Sequence, residues 1–250
     1  MTDRIRVWVI HTDLAPAAAE GYRDLLDESE SAHAADFLHD RDRCRYIVAH
    51  GARRVILGRE LDVAPRSLVF AAAANGKPEL AGVGQPGQPG QPGQPGQSSQ
   101  LGQPGQPGQH SPHISLAHDG ALALLAVAPT RSVGVDVRQL AEGLDPVDMS
   151  ERYFLPFEAR YVAGGHDLLE QTDRYARLWT RKEAAAKVAG GVGWANTRAA
   201  VLQRDLVACV EPAGPHRHRV LPVKVPSGYR AAVALFGEAP FRLEVVEFEA

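Results

Sequence analysis

The apolar and polar positions in the first half of the chain predict strands around a helical region. Short apolar runs predict strands at residues 5–10, 67–71, 113–117 and 121–128. Helical spacing of apolar positions predicts helices at residues 17–26 and 31–61. The last two strands are separated by the tight turn His118-Asp119-Gly120, so we expect them to form a hairpin.

The second half begins with a valine-rich strand at residues 133–138. Alternation places Val133, Val135 and Val137 on one face of this strand, with Asp136 and Arg138 together on the other. An aspartate is poorly suited to packing in such a strand, so we expect Asp136 to have a partner or a metal ion. The remaining pattern predicts helices at residues 146–154, 156–163 and 175–189 and strands at residues 219–225, 229–235 and 241–247.

The predicted helix at residues 175–189 is the first candidate for a functional element. Trp179, Glu183 and Lys187 are spaced at i, i+4 and i+8, so they lie on one face. This face is either an exposed ion pair worth roughly 0.3 kcal/mol or a site for a metal-bound phosphate. Only four of the 27 basic residues are lysines, and Lys182 and Lys187 both fall in this helix. This favours a specific need for ammonium groups there.

Composition narrows the class of protein. The net charge of −3 argues against a nucleic-acid-binding surface, and two cysteines without paired spacing argue against a disulfide framework or a zinc site. Neither a signal peptide nor an apolar stretch of membrane-spanning length is apparent. We therefore expect a cytoplasmic, monomeric protein without membrane association.

An unusual segment of Gly-Gln-Pro triplets occupies residues 84–109. It has almost no apolar side chains and no charge, so it cannot bury enough surface to fold. We expect a disordered loop that is dispensable for function, because lengthening a surface loop costs only about 0.6 kcal/mol per doubling.

Four motifs in order resemble the Sfp-type 4′-phosphopantetheinyl transferases. They are Asn-Gly-Lys77-Pro, Ile-Ser-Leu-Ala-His118-Asp, Val-Gly-Val-Asp136-Val, and Phe-Glu158 followed by Trp-Thr-Arg-Lys-Glu183-Ala-Ala-Ala-Lys187. The resemblance covers most of the chain outside the triplet segment. It implies an α+β fold of two pseudo-duplicated halves, residues 1–130 and 131–250, with the active site between them.

The resemblance also implies an activity. Such enzymes transfer the phosphopantetheine arm of coenzyme A, with Mg²⁺, to a serine of an acyl or peptidyl carrier protein and release 3′,5′-ADP. By matching position, Asp136 and Glu183 would bind Mg²⁺ and Lys187 would contact the pyrophosphate. Either Glu183 or Glu158 would take the proton of the carrier serine.

Further residues would bind the adenosine phosphates of coenzyme A by the same resemblance. These are Lys77 and His118, with help from Arg45 or Arg54. Two positions depart from the family pattern. Arg138 stands where many relatives have an acid, and Asp119 follows the histidine where a serine is usual. Because of these departures, a second alternative is a protein on the same scaffold that binds coenzyme A or a carrier without catalysing transfer. A structural role for the triplets is a third alternative.

Overall fold

The computed structural model describes residues 2–72, 77–84, 111–140, 143, 145–188, 198–211 and 214–249. The first half of the described chain forms β1 (Asp3–His11), α1 (Pro16–Arg23), α2 (Glu28–Ala35), α3 (Asp40–Leu61), β2 (Leu68–Ala72), β3 (Pro78–Val83), β4 (His113–Asp119) and β5 (Leu122–Ala128). The second half forms β6 (Val133–Gln139), α4 (Pro146–Tyr153), α5 (Pro156–Ala163), α6 (Leu168–Val188), β7 (Leu206–Glu211), β8 (Gly214–Pro222), β9 (Tyr229–Phe236) and β10 (Phe241–Glu247). A short 3-10 helix, Pro65–Ser67, precedes β2.

The strands of the described chain build two four-stranded sheets and one small hairpin. The sheet orders are β10-β1-β5-β4 and β6-β9-β8-β7, and β2 pairs with β3. This mixture of helices and sheets confirms the predicted α+β class. Both halves run in the order one strand, three α-helices and four strands. That order is what two similar halves would produce, and pseudo-duplication itself stays a prediction.

The two large sheets pack face to face, and helices cover their outer faces. The core between the sheets combines β1 and β5 with β6 and β9, and Val133, Val135 and Val137 belong to it. Residues of α1, α2 and α3 pack on the outer face of the first sheet, and α4, α5 and α6 pack on that of the second. Every residue of β5 is buried, because both faces of its sheet are covered. The predicted alternation in β6 is confirmed, because its three valines face the core between the sheets.

The last strand crosses the predicted boundary between the halves. β10 pairs in parallel with β1, with Asp3 opposite Phe241 and Val9 opposite Glu247. The sheet of the first half is thus completed by a strand from the second. The division at residue 130 remains a proposal. Because β10 completes the sheet of the first half, the division does not imply that the two halves fold independently.

Some predicted elements differ from the observed ones. The region predicted as one helix at residues 31–61 forms two helices. α2 begins after a capping box of Asp27 and Glu30 and is capped at its end by Asp36, and α3 begins at Asp40. α6 begins at Leu168, seven residues before the predicted start at residue 175. β7 was not predicted. His118 lies in β4 rather than in the turn, and the turn is made by Gly120 with φ of 56°.

Several sequence features lie outside the described residues. They include most of the triplet segment, the Asn75-Gly76 turn and the Gly190-Gly191 stop after α6. The described flanks of the triplet segment are held in place, since the Gly84 amide donates to the Ser67 carbonyl at 2.7 Å. Among the described helices, none combines the length and the apolar character that crossing a membrane requires.

Candidate active site

The site is built where α6 lies unusually close to β6. A Cβ placed on Gly134 would lie 2.1 Å from the carbonyl oxygen of Ala184 and 2.9 Å from Cβ of Lys187. Real side chains do not tolerate such distances, so a glycine is required at this position. The close approach brings the face of α6 that carries Glu183 and Lys187 against the outer face of β6, where Asp136 lies.

Asp136 and Lys187 form the central ion pair. Nζ of Lys187 lies 2.7 Å from Oδ1 of Asp136 and donates a second hydrogen bond to the Val135 carbonyl at 3.1 Å. Only 8% of Asp136 is exposed. Burial raises the pKa of the Asp136 carboxyl, and the Lys187 ammonium opposes that rise. The sequence-based expectation that Asp136 has a partner is therefore met by Lys187.

Glu183 lies one helical turn before Lys187 and adds a second carboxyl to the site. Burial raises the pKa of Glu183, and the neighbouring Asp136 charge raises it further, whereas Lys187 and Arg138 oppose the rise. Two carboxyls that oppose each other's ionisation fit a bound divalent cation, which would relieve the repulsion. Within the described residues, no group of three or more His, Cys, Asp or Glu side chains is arranged to hold a metal.

Trp179 anchors the same face of α6 one turn earlier. Its ring centroid lies 5.7 Å from that of Tyr175 and 6.3 Å from that of Phe154. The guanidinium carbon of Arg138 lies 5.9 Å from the centroid of the indole. The indole thus lies between the aromatic rings at the end of α4 and on α6 and the guanidinium at the end of β6.

The β4–β5 hairpin of the first half brings His118 and Asp119 to the site. Oδ2 of Asp119 accepts a hydrogen bond from the Gln139 amide at 2.9 Å and lies 3.8 Å from Nε of Arg138. The Ala121 amide donates to the Tyr229 hydroxyl at 3.0 Å. The hairpin tip is thus attached to the end of β6 and the start of β9. His118 is exposed as a whole residue. Partial desolvation of its ring by nearby protein atoms lowers its pKa, and the Lys187 charge lowers it further.

Lys77 approaches the opposite end of β6. Its Nζ donates to the Val133 carbonyl at 2.7 Å and to the Ser132 hydroxyl at 3.4 Å. Burial lowers the pKa of Lys77 to about 8, and the Lys187 charge adds to the effect, although Glu79 opposes it. The ammonium groups of Lys77 and Lys187 therefore lie within electrostatic reach of each other along β6.

Arg45 lies at the start of α3, near the hairpin tip. Its guanidinium is 3.5 Å from Oδ2 of Asp13 and 3.8 Å from Oδ1 of Asp42. Arg41, which the sequence analysis did not single out as a site residue, lies closer to Asp13 at 2.7 Å and is more exposed. The adjacent Thr12 amide donates to the Ala121 carbonyl of the hairpin turn. Both arginines thus lie beside the hairpin, and only the fold reveals this.

The structure corrects the expectation for Arg54. This side chain is 1% exposed and is bound by Asp27, Glu30 and the Leu68 carbonyl. Burial alone would raise the pKa of Glu30, but a hydrogen bond from His50 and the charges of Arg53 and Arg54 lower it to about 2. Arg54 therefore neutralises a buried carboxylate and has no free face for a phosphate.

Glu158 is also placed differently from the expectation. It is fully buried, and its Oε2 lies 2.7 Å from Nζ of Lys182. Its Oε1 accepts hydrogen bonds from the amides of Val201 at 2.8 Å and Leu202 at 3.1 Å. Both carboxylate oxygens are occupied inside the protein, so the position of Glu158 favours a structural role over proton transfer. Lys182 is correspondingly the partner of Glu158 and not a phosphate ligand.

The chain is similar to known phosphopantetheinyl transferases. A family model described as the 4′-phosphopantetheinyl transferase superfamily matches residues 132–206, which contain β6 and α6. A putative 4′-phosphopantetheinyl transferase of Synechocystis is 27% identical over 195 residues, covering 76% of this chain and 66% of the relative. The Nostoc 4′-phosphopantetheinyl transferase HetI is 29% identical over 191 residues, covering 76% of this chain and 70% of the relative.

A Bacillus subtilis 4′-phosphopantetheinyl transferase is 31% identical over 78 residues, which cover 31% of this chain and 33% of the relative. The chain thus spans about two thirds of the length of the two cyanobacterial relatives. The residues matched by the family model include Asp136, Glu183 and Lys187, the three side chains that the close packing of α6 on β6 brings together. The chain is thus similar to the 4′-phosphopantetheinyl transferase superfamily over the part that carries these three side chains.

Proposed function

We propose that this protein transfers the 4′-phosphopantetheine arm of coenzyme A to a serine of an apo acyl or peptidyl carrier protein and releases 3′,5′-ADP. The observation that carries the proposal is the arrangement of Asp136, Glu183 and Lys187 across the β6–α6 contact. Two carboxyls and a mobile ammonium side by side suit a reaction in which charge builds up on phosphate oxygens.

Asp136 and Glu183 would hold Mg²⁺, which prefers hard oxygen ligands and binds through one or two carboxylates together with substrate phosphates. When bound, the ion would neutralise charge on the diphosphate of coenzyme A. Lys187 has a flexible stem, and its ammonium can exchange the Asp136 carboxylate for a phosphate oxygen. Its side chain is 21% exposed, so Lys187 is only partly enclosed by the protein.

Lys77, His118 and Arg45 are the proposed ligands of the adenosine phosphates. Lys77 and His118 lie within electrostatic reach of Lys187, and Arg45 lies beside the hairpin that carries His118. They come from three separated parts of the chain. Lys77 lies at the start of β6, whereas His118 and Arg45 lie near its end, so the proposed polyphosphate site extends along β6 between the two halves.

Glu183 is the proposed acceptor of the proton from the carrier serine. Burial and the Asp136 charge raise its pKa, and a raised carboxyl pKa makes a better base near neutral pH. Glu158, the alternative base, is occupied by Lys182 and two backbone amides. Glu183 is therefore the carboxyl that remains beside Asp136 and Lys187 for this role.

The function is tested by incubating the protein with coenzyme A, Mg²⁺ and a panel of purified apo-carriers, which are then weighed by mass spectrometry. We expect at least one carrier to gain the mass of one phosphopantetheine arm. A carrier with its acceptor serine changed to alanine is the control and should gain nothing. Binding of coenzyme A without a mass gain in any carrier would instead support the non-catalytic binding protein.

Lys187→Ala is expected to impair transfer more than folding. Removing the ammonium takes away a positive charge beside the phosphates, which should lower turnover by about tenfold or more. The melting temperature should stay near that of the wild type, because Lys187 is partly exposed and the Asp136 left behind can take up a proton.

The matched control for this change is Arg177→Ala, which removes another cation of α6. Arg177 is exposed and pairs with Asp173 on its own helix, so neither turnover nor stability should change. Kinetics at saturating coenzyme A and thermal unfolding measure the two effects. Equal relative losses of activity and stability in Lys187→Ala would show that the ion pair is only structural.

A further inference from the structure

Arg138 is a second cation at the carboxyl cluster, and its placement is specific. It follows Asp136 by two residues, so both side chains emerge on the α6 side of β6. Its guanidinium lies over the Trp179 indole at 5.9 Å, and its charge reaches Asp136 and Glu183. About a third of the side chain (35%) is exposed to solvent, so a ligand can approach it from that side.

Asp119, which belongs to the other half of the molecule, lies beside this guanidinium. Its Oδ2 is fixed by the Gln139 amide at 2.9 Å and faces Nε of Arg138 at 3.8 Å. In the described part of the chain, this is the one ion pair that Arg138 forms. The distance is beyond hydrogen-bonding range, so the carboxylate attracts the Nε side of Arg138 through its charge and does not occupy the terminal nitrogens.

We propose that Arg138 binds the diphosphate of coenzyme A directly and that Asp119 is its positioning residue. The inference rests on the proposed function, because coenzyme A is the ligand. A planar guanidinium can donate two parallel hydrogen bonds to a phosphate. Its charge beside Asp136 and Glu183 also reduces the repulsion that these carboxylates exert on a polyanion. Part of the affinity for coenzyme A is therefore independent of a divalent cation.

The first test is calorimetric titration of coenzyme A into the full chain in EDTA. Arg138→Gln should weaken binding by about tenfold or more, as expected for a lost hydrogen bond to a charged group. Arg138→Lys keeps the charge and should recover part of the loss. Arg152→Gln, which removes an exposed cation paired with Asp148 on α4, should have no effect. Unchanged binding in folded Arg138→Gln would overturn the proposal.

A second ligand locates the phosphate that Arg138 contacts. Dephospho-coenzyme A retains the diphosphate but lacks the 3′-phosphate. If Arg138 binds the diphosphate, Arg138→Gln should weaken both ligands by the same factor. A loss confined to coenzyme A would place Arg138 at the 3′-phosphate and overturn the assignment.

The role of Asp119 is tested in two backgrounds, because a carboxylate near phosphates has two opposing effects. Asp119→Asn should weaken coenzyme A binding when Arg138 is present, since the guanidinium loses its orientation. The same change in Arg138→Gln should not weaken binding, since only repulsion is removed. Stronger binding in both backgrounds would contradict a positioning role.

The failure of this inference can be distinguished from the failure of the proposed function. A wild-type chain that does not bind coenzyme A would contradict both. Wild-type transfer together with unchanged binding in Arg138→Gln and Arg138→Lys would contradict the role of Arg138 alone. Thermal unfolding of every variant shows whether a loss of binding is only a loss of folded protein.

Discussion

Asp136→Ala and Glu183→Ala are each expected to lower Mg²⁺-dependent transfer by about 100-fold or more. Stabilisation of transferring charge by a metal ion is worth several kcal/mol, and either change removes a proposed ligand. The two residues come from a strand and a helix that meet only through tertiary packing at Gly134. Steady-state transfer, followed at increasing Mg²⁺ concentration, measures the loss and any shift in metal requirement.

The two changes should also be strongly non-additive, because the second removes a ligand from a site that the first has already disabled. Glu170→Ala is the matched control: it deletes a partly exposed carboxylate at the start of the same helix, which pairs with Arg174. Its transfer activity should remain at the wild-type level. Full Mg²⁺-dependent activity in either Asp136→Ala or Glu183→Ala would refute the metal site.

Glu158→Ala should produce the largest loss of stability among these substitutions. It would leave the Lys182 ammonium buried without its carboxylate and two backbone amides, of Val201 and Leu202, without their acceptor. Breaking a buried ion pair on one side costs about 3–5 kcal/mol. For a chain of this size the melting temperature should fall on the order of 10 °C. Chemical denaturation measures the free energy of unfolding.

Two further variants separate charge from shape at this position. Glu158→Gln keeps the acceptor for the amides and should cost less than Glu158→Ala. Replacing Glu158 with leucine and Lys182 with methionine removes both charges and should recover part of the stability. Wild-type stability combined with abolished transfer in Glu158→Ala would instead identify Glu158 as the proton acceptor.

The parts of the site that the sequence could predict depend on local periodicity. A period of two in β6 separates the valines from Asp136, and a spacing of four in α6 places Glu183 and Lys187 on one face. Both patterns are fixed by the backbone alone, and the structure retains them. The Asp136–Lys187 contact joins two such elements through a glycine, and only the motif resemblance indicated that they meet.

The surroundings that the sequence did not indicate are those of residues whose partners lie on other elements. Arg54 was expected at a phosphate, but Glu30 of the neighbouring helix α2 is its partner. Glu158 was considered as a base, but Lys182 lies on the buried side of α6 beneath it. A charged residue on a helix has the same sequence pattern whether its partner is a ligand or a buried ion. The break between α2 and α3 was missed because its residues, 36–39, include no glycine or proline.

The pairing of β10 with β1 affects how the chain can fold during its synthesis. β1 leaves the ribosome before its parallel neighbour β10, which is made more than two hundred residues later, as the Asp3–Phe241 register shows. At 5–20 residues per second this delay is on the order of ten to fifty seconds. Throughout that time the apolar β1 has one edge without a strand, and such edges recruit other chains. Nascent-chain chaperones therefore have a defined segment to protect until translation reaches β10.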